Sequence, residues 1–167
     1  MSTTLTEQSA TVSSRAGKYL TFYLDAEEYG LEILKVQEII GVLPITRVPR
    51  MPSFVKGVIN LRGKVISIVD LRAKFGMDAS ATGESCIIVV QVRGVQLGIL
   101  VDRVSEVKAI KDDEIADAPS FGTEVDTEFL LGIAKGAGRV TLLLDIDRVL
   151  TTSEVLDLTR ALPTDAA

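Results

Sequence analysis

The chain has 167 residues, 47% of them hydrophobic, with 18 Lys and Arg against 23 Asp and Glu for a net charge of −5. That is enough apolar material for one compact domain or for two small barrels around a shared core, while an acidic balance with few aromatic rings disfavours a nucleic-acid partner. With no histidine and a single cysteine, the composition excludes Ser-His-Asp and Cys-His catalysis, imidazole metal ligation, an internal disulfide and a multi-Cys zinc site.

Residues 1–17 are rich in Ser and Thr and lack the apolar core of a signal peptide, so they read as a disordered N-terminal tail. No apolar run approaches the ~20 residues that span a bilayer, and a cytoplasmic protein without direct membrane insertion is expected. From Lys18 onward, short β-branched runs alternate with glycines, which is an all-β pattern. The stretch "KYLTFYLDAEEYGLEILKVQEI" supplies two strands followed by a Val-x-Glu segment. Ile33, Val36 and Ile40, spaced three and four apart, form an apolar stripe if that segment is helical. Such a stripe is either ordinary core or, where two barrels meet, one wall of a groove for an amphipathic helix.

Next comes "GVLPITRVPRMPSF", whose three prolines suit a stiff connector presenting Arg47 and Arg50. The run "FVKGVINLRGKVISIVDLR" then reads as a hairpin with Arg62, Gly63 and Lys64 at its tip, and Asp70 is placed to cap a short helix. Cys86 opens the apolar run "CIIVVQV" and is expected to be a buried small hydrophobe. Val101 and Val104 occupy the region matching the first stripe. Asp145 is placed to cap a C-terminal helix over about residues 146–157, and residues 159–167 read as a flexible tail.

Two copies of one plan lie in the chain. Residues 18–39 fall on residues 86–107 at a constant offset of 68, which pairs Gly30 with Gly98, Lys35 with Arg103, Val36 with Val104 and Glu38 with Glu106. Residues 54–71 fall on residues 129–146 at an offset of 75, which pairs Phe54 with Phe129, Gly57 with Gly132, Gly63 with Gly138 and Asp70 with Asp145. Each copy holds about five strands, which suits a small barrel that closes its own edges. The expected organisation is one domain over 18–158, made of two intertwined barrels at about 18–85 and 86–146. The repeat also acts as an internal control. Features in both copies, such as Gly57, Gly63, Asp70 and Glu38, lean structural, whereas Arg62, whose counterpart is Ala137, reads as a contact residue able to form paired hydrogen bonds with a carboxylate.

Charge is divided unevenly. Between Lys35 and Lys74 eight cations (Lys35, Arg47, Arg50, Lys56, Arg62, Lys64, Arg72, Lys74) stand against two acids, a balance of +6; between Asp102 and Glu128 three cations stand against nine acids, a balance of −6. Opposed faces suit head-to-tail association with a molecule of the same shape. No nucleotide-binding glycine pattern, calcium loop or arranged carboxylate pair occurs, so neither cofactor nor enzymatic activity is expected.

The segments "YGLEILKVQEI", "TRVP…PSFVKGVINLRGKVISIVDLR" and "ILVDRVSEV" closely resemble the CheW-like domain family of bacterial chemotaxis coupling proteins, over roughly Lys18 to Leu150. The resemblance implies two SH3-like β-barrels, each five-stranded, around a shared core, with short helices. It implies a non-catalytic adaptor joining the cytoplasmic tip of methyl-accepting chemoreceptors to the regulatory domain of the histidine kinase CheA, recruited to membrane-associated receptor arrays. On this basis Ile33, Val36, Glu38, Ile40, Val101 and Val104 are assigned to the receptor, and Arg47, Lys56, Gly57, Arg62 and Lys64 to the kinase or array interface. Ser67 departs from the family, which commonly has proline there. A relative carrying an added receiver domain would need more chain after Leu158. From another class, a ligand-binding or hydrolytic double barrel would be favoured by a polar cleft with perturbed titratable groups.

Overall fold

A computed structural model describes residues 15–77, 85–117, 129–136 and 138–150. Eleven strands are present among them: β1 (Gly17–Leu24), β2 (Glu27–Glu32), β3 (Val36–Gly41), β4 (Val55–Leu61), β5 (Lys64–Asp70), β6 (Cys86–Val92), β7 (Val95–Val101), β8 (Arg103–Ile110), β9 (Ile115–Ala116), β10 (Leu130–Gly136) and β11 (Arg139–Leu144). Two helical turns follow capping aspartates: α1 (Leu71–Lys74), where Asp70 accepts the Arg72 N–H, and α2 (Ile146–Val149), where Asp145 accepts the Asp147 N–H. Of the expected C-terminal helix, residues 151–157 lie outside the described residues, as do the tail beyond 158 and most of the N-terminal tail.

The strands form a six-stranded sheet of order β8-β1-β2-β11-β10-β9 and a five-stranded sheet of order β3-β6-β7-β5-β4. Short β9 makes the first sheet six-stranded rather than five-stranded. Sheet membership does not follow the repeat boundary at 85/86. Each sheet combines the first hairpin of one copy with the second hairpin of the other, joined through the parallel pairs β2/β11 and β5/β7. Connection length explains the exchange. For β3 to lie antiparallel beside β1 of its own copy, the chain would have to run back along a strand, about 20 Å, against the roughly 14 Å that a three-residue link reaches. Only Ile33–Lys35 separates β2 from β3, and only Asp102 separates β7 from β8. Each third strand therefore continues onto the other copy's first hairpin, β3 on β6 and β8 on β1.

The parallel seams are close. Gly30 pairs with Leu143 and Gly98 with Ile68, partners that the offsets also relate. A Cβ on Gly98 would lie 2.7 Å from the side chains of Ile68 and Ile87, and one on Gly30 would lie 3.0 Å from Leu143. The repeated glycines are thus spaces for side chains of the facing strands.

Alternation along the strands builds three cores. Leu20, Phe22, Leu24, Ile88, Val90, Leu97 and Ile99 face a large core shared by both sheets, closed by Leu71, Ile146 and Val149 from the helical turns. A run of stacked rings leads from its interior to its edge, Phe22 on Tyr29, Tyr29 on Phe75 and Phe75 on half-buried Phe129, with centroids 4.9–5.8 Å apart. The opposite faces bury Ile59, Ile66, Ile68, Ile87 and Val89 in one sheet and Tyr19, Ile110, Ile115 and Leu143 in the other. Burial on both faces explains the unbroken apolar run of β6 and requires each sheet to curl over its own cluster.

Ion pairs join the copies. Arg72 donates from Nε and Nη2 to the Asp102 carboxylate at 2.7 and 2.6 Å, both residues being 8% exposed. Burial pushes the Asp102 pKa up, but the guanidinium and the Asp25 N–H outweigh it and hold the carboxyl below its ordinary value. The equivalent of Arg72 in the second copy is Asp147, which pairs with Lys35 at 2.7 Å. A joint of reversed charge thus forms one residue further along the link, since Lys35 is equivalent to Arg103 and not to Asp102.

Removing one partner of the buried pair leaves the other uncompensated, so Arg72→Ala is expected to lower the unfolding free energy by roughly 3 kcal/mol or more in urea denaturation. Because the Asp102 pKa is depressed on folding, its stabilisation is complete above the unfolded value and disappears as pH falls through the folded one. Asp102→Asn should accordingly flatten the acid limb of the stability curve. Ser67 Oγ, buried in β5, has no hydrogen-bond partner; Ser67→Ala is expected to be neutral or to stabilise by up to about 1 kcal/mol.

Candidate functional site

The segment expected to carry a helical stripe is a single 3-10 turn, Ile33–Lys35, followed by β3. The antiparallel partner β6 draws Val36–Gly41 into a strand, and alternation replaces the three-and-four spacing. Glu38 and Ile40 share one half-buried side, the bulge between Val36 and Glu38 turns half-buried Val36 to the opposite side, and Gln37, Ile39 and Gly41 are exposed.

Glu38 and Arg62, assigned from the sequence to different partners, are brought together. Arg62 and Gly63 form the two-residue turn between β4 and β5, both with left-handed backbone (φ 52° and 89°), and the Asn60 side chain accepts the Gly63 N–H at 2.7 Å. From this tip the Arg62 guanidinium makes a two-pronged contact with Glu38, Nη1 to Oε2 at 3.2 Å and Nη2 to Oε1. The Arg62 hydrogen bond holds the Glu38 carboxyl below its ordinary pKa. Since β3 and β4 are the two edges of the five-stranded sheet, the pair spans the seam at which that sheet curls. Solvent reaches it mainly from the Arg62 side, 69% exposed against 32% for Glu38, so a partner carboxylate can compete for the guanidinium at small cost. The second copy has no equivalent, because Ala137 replaces the arginine.

Beside this seam lies the proline-containing loop. Thr46 exchanges backbone hydrogen bonds with Val58, both 2.8 Å, which ties the loop to β4. Arg47, Arg50, Ser53 and Lys56 line a shallow hollow of about 350 Å3, and no carboxylate is among its walls. Lys56 Nζ stands 3.8 Å from Asp70 Oδ2, and Lys64 is exposed next to the turn. Gly57 presents no side chain here. It sits at a bulge with φ 146°, where a Cβ would lie 2.1 Å from the Thr46 carbonyl oxygen. Its contribution is to let the loop lie against β4.

The apolar residues separate into groups. Ile33, Val36 and Val104 are half-buried and pack on the rim of the shared core, and Ile40 packs on the five-stranded sheet's own core. Val101 is 1% exposed within the shared core, so alternation along β7 turns it away from any partner. Leu34, which the sequence reading passed over, is 95% exposed. It borders a cleft of about 630 Å3 between the copies, whose walls include Lys35, Gln37, Arg93 and Asp147. Expectation of a helix hid it, because position 34 lies off the apolar side of that stripe.

Chemical groups are committed to structure. Glu28 is pushed up by burial, but the Thr141 hydroxyl and Lys108 ammonium outweigh this and lower its pKa. Burial raises the Tyr19 pKa to about 12 and also raises that of Cys86. Among the described residues no group of three His, Cys, Asp or Glu side chains could hold a metal ion, and no helix is long and apolar enough to cross a membrane. The exposed arrangement of cations, one exchangeable ion pair and rim hydrophobics is suited to protein contact.

The model of the CheW-like domain matches residues 18–154. The chain is 41% identical over 152 residues to the chemotaxis protein CheW of Klebsiella aerogenes, covering 87% of this chain and 92% of that protein. It is 36% identical over 150 residues to the chemotaxis protein CheW of Rhizobium meliloti, covering 84% and 97%. The crystal structure of the scaffolding protein TtCheW from Thermoanaerobacter tengcongensis superposes with a TM-score of 0.75 at 35% identity, covering 83% of this chain and 95% of that one.

Two substitutions separate contact from scaffold. Gly57→Ala is expected to destabilise the fold by more than about 2 kcal/mol, seen as a lowered urea midpoint. Glu38→Ala should leave that midpoint unchanged, since it removes only an exposed pair.

Proposed function

The chain belongs to the CheW-like family of non-catalytic chemotaxis scaffolds, and we propose that it couples methyl-accepting chemoreceptors to the regulatory domain of the kinase CheA at receptor arrays in the cytoplasm. The observation that carries this reading is the family match across residues 18–154, which includes the Asn-Leu-Arg-Gly stretch, with Leu61 buried and Asn60, Arg62 and Gly63 exposed. Ile33, Val36, Val104 and Ile40 form the receptor side, with Glu38 at its margin. Arg47, Lys56, Arg62 and Lys64 form the kinase or array side, with Gly57 holding their loop in place. Val101 serves the core beneath them.

The Glu38–Arg62 pair joins these two sides. A partner carboxylate that takes Arg62 releases Glu38, so occupancy on one side alters the charge offered on the other. No turnover is required: a preference of about 1.4 kcal/mol for one receptor or kinase state shifts an equilibrium tenfold.

Calorimetric titration into the CheA regulatory domain tests the assignment. Arg62→Glu is expected to weaken binding at least tenfold while the circular dichroism spectrum is unchanged; equal binding would move the turn out of the kinase interface. In a reconstituted assay, Arg62→Ala should fold normally and reduce receptor-controlled kinase activation.

A further inference from the structure

Acids outnumber cations in this chain, 23 to 18, and Lys35, Arg62, Arg72 and Lys108 each face a carboxylate. The hollow beside the proline-containing loop is built differently. Arg47, Arg50, Lys56 and Ser53 line its volume of about 350 Å3, and neither a carboxylate nor an aromatic ring is among its walls. Lys56 approaches an acid only at 3.8 Å, the buried Asp70. Arg50 is also held in a conformation that disfavours a side chain. Pro49 and Arg50 form a turn in which the Arg50 φ is 64°. Proline followed by a left-handed residue fits the two central positions of a type II turn, and the second of these favours glycine because a Cβ is strained there. Left-handed Asp25, Arg62 and Arg93 lie at the tips of hairpins, where such backbone closes the turn, whereas Arg50 lies in a loop with no hairpin to close. The hollow is fixed from several sides. Thr46 is bonded to Val58, the Val55 N–H donates to the Pro52 carbonyl at 3.0 Å, and Met51 and Val55 pack on the shared core. At the offset of 75 Lys56 falls on Leu131, so the barrel plan has no general need for a cation at that position.

We infer that this hollow is an anion site for the phosphate chain of a small soluble polyanion, of the class of inorganic polyphosphates and nucleoside triphosphates. Guanidinium forks match phosphate oxygens with paired, charge-assisted hydrogen bonds; Lys56 adds a point charge and Ser53 a hydroxyl donor. Two arginines and a lysine around one small hollow favour a ligand carrying several charges close together over a single carboxylate. With no ring in the walls there is nothing for a base to stack on, so the phosphates and not a base are recognised. An acidic polypeptide spreads its charge along an extended backbone, whereas a concave hollow of this volume, walled by Pro49 and Pro52, takes a compact ligand. Retention of Arg50 where glycine would relax the backbone is explained by the guanidinium it contributes. Arg47 and Lys56 belong to the side proposed for the kinase, but the anion site stands on the hollow's own charges and holds whichever partner meets that side.

Nuclear magnetic resonance titration of the full chain at low salt, with inorganic phosphate, tripolyphosphate, ATP free of divalent cations and a hexaglutamate peptide, tests the site. Tripolyphosphate is expected to give saturable shifts centred on the loop and the start of β4, with phosphate weaker, ATP equal to tripolyphosphate and hexaglutamate without saturation. Arg50→Gly should weaken tripolyphosphate binding about tenfold through loss of charge-assisted hydrogen bonds, while its thermal midpoint equals or exceeds the parent's because glycine relieves the backbone. Arg50→Lys should weaken binding less, and Lys135→Ala, on β10 of the other sheet, not at all. Absence of saturable shifts with tripolyphosphate, shifts spread equally over β10, or undiminished binding by Arg50→Gly overturns the inference. So does tighter binding of hexaglutamate, which makes the occupant an acidic polypeptide, or of ATP over tripolyphosphate, which moves recognition to the base. A lowered thermal midpoint for Arg50→Gly also overturns it, since Arg50 then serves folding.

Discussion

Two short connections govern this fold. Three residues between β2 and β3, and one between β7 and β8, cannot return the chain along a strand, so each copy of the repeat completes its sheet with strands of the other. Everything else of consequence follows from that exchange. The parallel seams bring Gly30 against Leu143 and Gly98 against Ile68; the large core lies between sheets that each belong to both copies; and the joints at Arg72–Asp102 and Lys35–Asp147 cross from one copy to the other. Neither half has a complete sheet of its own.

Within that shared plan the sheets fill their second faces differently. In the five-stranded sheet Ile40, Ile66, Ile87 and Val89 make an apolar cluster. Their equivalents in the six-stranded sheet are Lys108, Thr141, Tyr19 and Thr21. There Glu28 accepts from Lys108 and Thr141, and Thr21 bonds to both the N–H and the carbonyl of Glu106 across the bulge between β1 and β8. A polar interior is tolerated because each of these groups has a partner. The opposed charges expected along the chain are redistributed in the same manner. Arg72, counted with the basic half, and Asp102, counted with the acidic half, neutralise each other in the interior, and Lys35, Arg62 and Lys56 each face a carboxylate. The exposed basic character is concentrated around Arg47, Arg50 and Lys64.

Much of this was readable beforehand where the signal was local. Short β-branched runs, the hairpin tip at Arg62–Gly63 and capping aspartates each depend on a few neighbouring residues, and the two offsets found in the sequence relate equivalent seams and caps in space. The Phe54 and Phe129 carbonyls even accept the Asp70 and Asp145 N–H groups at the same 2.7 Å. By contrast, residues 33–40 carry a spacing that fits a helix, yet become a turn and a strand because β6 supplies backbone partners that the segment cannot supply itself. Val101 looked like part of a binding stripe and is core for the same reason: which side of a strand faces inward depends on what is packed against it.

The sequence by itself determined the mainly β class, the repeat, the turn and cap positions, the exclusion of histidine and disulfide chemistry, and the family. Only the tertiary structure decided that Glu38 and Arg62 form one exchangeable pair, that Gly57 makes room for a carbonyl, and that Leu34 rather than Val101 meets solvent. These outcomes depend on contacts between residues far apart in the chain, whose partners are chosen by connection length and by the packing of two sheets, and no local pattern records that choice.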